Sequence, residues 1–514
     1  MGSAKFQKML RQFIIPALLI AAPDFSNGQI LKDAQEILGK LYKANGNMII
    51  PRPIVKLSPS QGRAACYLRS VNTIELSPVI FDVCRSMGKD SLAALAFVLG
   101  HEFSHAFQND LKASETNFLA YHRTDNSDVG HEEAADVSGA FMAYLAGYRT
   151  LDLMDPFLDR IYDKFNLNHD LRGYPSLAER KQTSQKVRKM VDQLISTYEA
   201  ANMLSAIGQY ELAVSCYEYI LGWYHGREIY NNLGVTYSRL ALNFTGQNTE
   251  SYVYPLEMEW GTRMKKPSVS RGAGLPAEMA MLKDHYLQRS QDNMVQAARM
   301  DKTFFTADLN IFCIYLLKGA YREAMEFYER NSLQRTSDLL GSEDHRNKLR
   351  MSYAIAKARM GEKEQARRIW TDLSHVQNSA IAAQALINLA VLDGEKASAK
   401  ENTCMTFKPA SKDYDGIKLY REYPSGDTIL LNAEKGMLMT VRDLPGSKVY
   451  VLRQGKGYLR MQRVRGQWNM NRRDLQDPGQ IQQTDNGFLY YCADGRFVLN
   501  VDRDLKVREW VKYH

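Results

Sequence analysis

Residues 91–110 read SLAALAFVLGHEFSHAFQND, an apolar run at helical period that carries two histidines and a glutamate in its middle. A helix that is apolar all round is a buried one. Burying ionisable groups without partners costs several kcal/mol. Any fold that contains this run must therefore bring a compensating group to His101, Glu102 and His105. The H-E-x-x-H spacing names that group. Imidazoles at i and i+4 share one helical face and reach one ion, while Glu102 projects beside them, close enough to bond a water on the ion but not to replace it. A hydrolytic zinc site takes three protein ligands and keeps a fourth position open, which predicts Zn2+ as cofactor, one per chain.

The third ligand comes from the next helical run, HEEAADVSGAFMAYLAG at 131–147. Glu132 stands 27 residues after His105, enough for a loop that returns another helix beside the first. Asp136 lies four residues on, on the same face, where it can accept the outer N–H of a ligating histidine and fix its tautomer. Ala134, Ala135, Ser138, Gly139 and Ala140 allow the two helices to approach closely. Glu133 is expected to point outward as a solvated acid.

These residues carry a resemblance. An H-E-x-x-H helix followed by a helix with E-x-x-A-D resembles the gluzincin metallopeptidases of the HtpX, BepA and CaaX-prenyl-protease family, over about residues 50–185. The Asn72–Leu76 strand is similar to that family's substrate-aligning edge strand, and Tyr174-Pro-Ser-Leu-Ala-Glu-Arg180 to its His-Pro…Glu-Arg element. The resemblance implies a zincin-like α+β peptidase, with Glu102 as general base and Arg180 beside the metal ligands. Where members with that element carry a histidine before the proline, this chain has Tyr174. Its hydroxyl either bonds the oxyanion or only packs. His169 is the weaker candidate nearby.

The rest of the chain is organised around this segment. A chain of 514 residues exceeds one ordinary core, and the expected architecture is mainly α in three parts after a leader. Lys5, Lys8 and Arg11 precede the apolar stretch Phe13–Ala22, which reads as a signal peptide over 1–28; ten residues rise only about 15 Å, half a bilayer core. A peptidase domain follows over 30–192, with strands at Pro53–Leu57, Ala64–Leu68 and Asn72–Leu76. Over 193–398 a Gly is followed three times by Ala five residues later and an aromatic four beyond that: Gly208/Ala213/Tyr217, Gly319/Ala324/Tyr328 and Gly361/Ala366/Trp370. This spacing resembles tetratricopeptide repeats and predicts an α-solenoid of helix pairs, interrupted by a long loop from Phe244 to Pro276. Short apolar runs between turn residues over 405–514 predict a small β domain.

Composition excludes more than it identifies. The net charge of +8 is spread among interleaved acids and bases, so no nucleic-acid partner is expected. Six scattered cysteines form no C-x-x-C pair. An oxidising compartment would permit Cys66–Cys84 or Cys404–Cys492 bridges; inert buried thiols are the alternative. The function expected is a zinc-dependent endopeptidase acting on exported or envelope proteins in their quality control. It would be periplasmic or envelope-associated, with room for peripheral membrane association, and would take protein or peptide substrates and partners docked on the repeats. The rival readings are a non-catalytic repeat adaptor with a structural metal, and a zinc hydrolase acting on a non-peptide substrate.

Overall fold

The computed structural model describes residues 27–58, 64–107, 115–117, 126–167, 176–244, 252–258, 277–334, 343–394, and 426–513 apart from 445, 456, 470–480, 485–486, 493–496, 503 and 505. Among them the chain is mainly helical, with a small four-stranded sheet near its start and a larger antiparallel sheet at its end. The signal-peptide stretch up to residue 26, His169, Tyr174 and Cys404 lie outside the described residues.

The first sheet joins β1 (Ile54–Leu57), β2 (Ala65–Leu68), β3 (Thr73–Leu76) and β4 (Glu115–Asn117) in the order β1-β3-β2-β4. The expectation of an edge strand at Asn72–Leu76 is corrected here. β3 is an interior strand, because β1 pairs with one side of it in parallel and β2 with the other in antiparallel register. The edges are β1 and the short β4, which lies inside a stretch with no strand pattern of its own. Cys66 and Cys84 are buried and carry no disulfide, so the permitted bridge between them is not formed.

Of the helices α1 (Asn27–Asn45), α2 (Pro78–Ser86), α3 (Ser91–Ser104), α4 (Asn126–Leu145) and α5 (Met154–Lys164), α1 and α3 pack on this sheet, α4 packs on both of them, and α2 lies between α3 and α5. Helix α2 starts where Ser77 accepts the N–H of Ile80, with Pro78 at its first turn. Helix α3 is buried from Ala94 to Ser104, as its unbroken apolar pattern demands, and ends one turn sooner than the sequence suggests: His105–Phe107 form a 3-10 turn. Helix α6 (Leu177–Ala206) opens with a reciprocal capping box between Ser176 and Glu179 and runs 30 residues without a break. The expected boundary at 192/193 falls inside it.

Eight further helices follow among the described residues: α7 (Tyr210–Leu221), α8 (Arg227–Leu242), α9 (Ala277–Met300), α10 (Phe305–Leu317), α11 (Tyr321–Gln334), α12 (Glu343–Arg359), α13 (Lys363–Leu373) and α14 (Ser379–Leu392). They pack as successive antiparallel hairpins. The three glycines of the sequence repeat share one duty: Gly208, Gly319 and Gly361 take φ of +79°, +75° and +90° in the turns α6–α7, α10–α11 and α12–α13. After each, the next N–H reaches back to a carbonyl of the preceding helix, Gln209 to Leu204, Ala320 to Tyr315 and Glu362 to Lys357. This is a helix stop that L-residues adopt only with strain. Ala213, Ala324 and Ala366 are fully buried between the paired helices.

The terminal sheet has the order β5-β6-β7-β8-β12-β11-β10-β9, two antiparallel meanders joined along β8 and β12. Its strands are β5 (Asp427–Asn432), β6 (Met437–Leu444), β7 (Ser447–Gln454), β8 (Gly457–Asn469), β9 (Ile481–Thr484), β10 (Gly487–Cys492), β11 (Phe497–Asp502) and β12 (Lys506–Tyr513). Two of these have no clear signal in the sequence. The Gln-rich β9 lacks alternation, and in β12 a bulge between Val507 and Glu509 shifts the phase, so that Val507 and Trp510 are both buried. The sheet docks on α6 through Glu199, which accepts from Tyr144 and Tyr450 and pairs with Arg463 and Arg465.

Candidate metal centre

The site lies where α3 and α4 cross. They touch backbone to backbone at Gly100 and Gly139: a Cβ added at Gly139 would fall 2.5 Å from Gly100 C and from His101 N, and one at Gly100 would fall 2.7 Å from Gly139 O. No other residue fits either place. The contact precedes His101 by one residue, so the ligand-bearing turn of α3 is pressed directly onto α4.

Around the crossing the chain gathers His101, His105 and Glu132, all buried, with one donor atom from each within 4.8 Å of the others. The two Nε2 atoms are 3.1 Å apart. Glu132 Oε2 is 3.2 Å from His101 Nε2, and its Oε1 is 3.7 Å from His105 Nε2. Two bonds of about 2.1 Å meeting at a tetrahedral angle hold their donor atoms about 3.4 Å apart. The three gaps, two of them to different oxygens of Glu132, lie near that value, so this group could hold one small divalent ion.

The support around the ligands is equally definite. Asp136 Oδ1 lies 2.7 Å from His101 Nδ1, which leaves Nε2 facing the other ligands. Its other oxygen takes Arg180 Nη2 at 3.1 Å from the first turn of α6. Burial lowers the Arg180 pKa to about 10, still charged at neutral pH. On the ring itself, burial favours the neutral form, but Asp136 and Glu132 outweigh it, and His101 is pushed up to about 10 in the metal-free protein.

Glu102 stands apart from this network. It is fully buried, and neither carboxylate oxygen makes a well-formed hydrogen bond, the Tyr67 backbone approaching it only loosely. Burial pushes its pKa up to about 8, with the Glu132 and Asp136 charges adding to the rise and the His101 ring and the Tyr67 backbone opposing it. A carboxylate so poorly satisfied in the interior is costly, and its place beside a ligand triad is where an incoming polar molecule would satisfy it.

The residues singled out by spacing, the two histidines, Glu132, Asp136 and Glu102, are thus brought together with Arg180, which the resemblance implied. Glu133 is half-buried and takes no part. One supporting residue has no signal in the sequence. Arg69, in the 3-10 turn joining β2 to β3, donates Nη2 to the His105 carbonyl at 2.9 Å and satisfies the end of α3. Nothing local marks Arg69 for that role, since the contact spans 36 residues. Comparison with known proteins adds no assignment: no protein-family model matches the chain, and no curated protein does.

Proposed function

We propose that this chain is a zinc-dependent endopeptidase, with His101, His105 and Glu132 as ligands and Glu102 as the general base. The observation that carries the reading is the buried Glu102 carboxylate, without a side-chain partner, beside three donors that could hold one metal ion. A structural zinc site has no use for such a group, which is why hydrolysis is preferred to a repeat adaptor with an idle metal.

Bound zinc would supply Lewis acidity, polarising a carbonyl and lowering the pKa of water towards neutrality. The chain's own residues do the rest. Glu102 takes the proton of the attacking water and delivers it to the leaving nitrogen. Asp136 holds His101 in the tautomer that frees Nε2, and Arg180 holds Asp136. The burial of the whole cluster excludes bulk water, which strengthens each charge interaction within it.

The wider reading belongs to the same proposal. The first segment is zincin-like, and the helical hairpins are tetratricopeptide-like and select protein substrates. The resemblance to HtpX and BepA supports an exported, envelope-associated enzyme of protein quality control. None of the described helices is long and apolar enough to cross a membrane. The test is a pair of substitutions with metal analysis. Glu102→Gln should lose cleavage of an unfolded protein by roughly 10²–10⁴ while keeping about one zinc per chain. Glu132→Ala should lose the metal. Zinc loss in Glu102→Gln, or chelator-insensitive cleavage by the wild type, defeats the reading.

A further inference from the structure

Within the expected long loop, residues 252–258 are not a surface connection. They form neither helix nor strand and lie against the helical hairpins, with Tyr252, Pro255, Leu256, Glu257 and Met258 all buried. Buried irregular backbone is costly unless every amide finds a partner. Here the partners are asparagine side chains, each fully buried. Asn388 of α14 accepts the Val253 N–H at 2.7 Å and donates to the Val253 carbonyl at 3.2 Å. Asn310 of α10 treats Glu257 identically, accepting its N–H at 2.8 Å and donating to its carbonyl at 2.7 Å. Asn231 of α8 adds a third amide, donating to the Glu257 carbonyl at 3.0 Å.

A residue whose N–H and C=O face one partner is extended, as in a hydrogen-bonded pair of antiparallel strands. A primary amide that reads both groups does what a neighbouring strand does, and it reads backbone rather than side chain. Two such readers grip positions four residues apart. The side chains between and beside them meet specific chemistry. Glu257 gives its carboxylate to Lys348 of α12 at 2.6 Å. Tyr252 packs its ring 5.2 Å from Trp370 and lies under the Arg359 guanidinium. Alternate helices α8, α10, α12 and α14 thus present one groove, equipped for an extended peptide and filled by the chain's own.

We propose that this groove is a binding site for an extended peptide segment of a partner protein, which residues 252–258 occupy in cis and must vacate. The ligand has an aromatic residue one place before the first gripped position and a carboxylate at the other, with no need of a side-chain hydrogen bond between them. The site is distant from the metal centre in sequence and chemistry, and the inference stands or falls without the peptidase reading. Because the cis segment is tethered, it competes at an effective concentration near the millimolar range. A trans peptide therefore gains access only when the cis contacts are weakened.

The experiment uses the full chain carrying Glu102→Gln, so that the probe is not cut, and a fluorescein-labelled heptapeptide copying residues 252–258. Adding Tyr252→Ala and Glu257→Gln should tighten probe binding, read by fluorescence anisotropy, at least tenfold. Asn310→Ala or Asn388→Ala in that background should then weaken it about tenfold, one charge-free bidentate contact. In the unaltered chain, millimolar heptapeptide should speed hydrogen exchange at the Val253 and Glu257 amides severalfold. A folded double variant that ignores the probe overturns the proposal, as does one that pairs with another copy of itself instead. If the double variant does not fold, unchanged exchange in the unaltered chain decides against it alone.

Discussion

Replacing Gly139 by alanine inverts the usual rule for helices. Alanine in a helix interior is ordinarily about 1 kcal/mol better than glycine, yet here the new methyl would lie 2.5 Å from two backbone atoms of α3. Those atoms cannot rotate away. Restoring ordinary contact near 3.4 Å requires the two helices to separate by about 1 Å. Glu132 rides on the same rigid helix, two turns before Gly139. Its gaps to the imidazoles, now 3.2 and 3.7 Å, would open to more than 4 Å. Two zinc bonds of about 2.1 Å at a tetrahedral angle hold their donor atoms about 3.4 Å apart, so the widened gaps weaken the hold of Glu132 on a shared ion.

Zinc affinity in Gly139→Ala should therefore fall at least a hundredfold, measured by competition with a chromogenic chelator. Overpacking should also lower stability by about 1–3 kcal/mol in thermal or urea melts. The control is Gly130→Ala on the same helix, where an added Cβ meets nothing within 4 Å. It should keep wild-type affinity and melt no lower than wild type. Wild-type zinc affinity in Gly139→Ala would refute the claim that the crossing, rather than the ligand identities alone, sets the site.

Two other expectations are sharp enough to check. Asp136→Asn removes the charge that faces both His101 Nδ1 and Arg180; zinc affinity should drop roughly 10–100-fold while the far-ultraviolet spectrum is kept, and unchanged affinity would show the aspartate to be dispensable. At the docked sheet, burial opposes ionisation of Glu199 but Arg463, Tyr450, Lys448 and Arg465 outweigh it, holding its pKa below the ordinary 4.5. A depressed carboxylate stabilises the fold above 4.5 and ceases to do so as the pH falls through the lowered value. Hydrogen exchange across β7 should accelerate below that point in the wild type. In Glu199→Gln, which removes the anion shared by Arg463 and Arg465 while Arg463 keeps Glu509, it should lack the step.

How much of this is legible in the sequence depends on the distance over which each feature is encoded. The candidate ligands are readable because i, i+4 spacing is local, and because Asp136 follows Glu132 by one helical turn. Gly208, Gly319 and Gly361 are readable because a helix stop requires positive φ at a fixed offset from a buried small residue. The position of β3 is not, since strand order is fixed by pairings that reach across the domain. The parallel partner Ile54–Leu57 carries no mark of which neighbour it will choose. Gly100 shows the same limit: it stands in an apolar helix like any tolerated glycine, and only its apposition to Gly139 reveals why nothing larger fits. The buried asparagines at 231, 310 and 388 are invisible for a further reason. A polar residue inside a helix reads as a solvated one until the chain that it grips is known.

Helix α6 is the element through which these parts answer to one another. Its first turn places Arg180 on Asp136, and 19 residues later, about 28 Å along the axis, Glu199 gathers the arginines and tyrosines of the terminal sheet. Its last turn enters the first hairpin at Gly208. A single unbroken helix cannot shift at one end without carrying the other, because its hydrogen-bond ladder resists bending. The metal support, the sheet and the repeats are therefore fixed to one rod, and a chain cut at residue 192 would sever it between two of its three attachments. The two remaining pieces would each expose buried apolar surface that α6 now covers, which makes the first segment dependent on sequence well beyond the His101, His105 and Glu132 cluster.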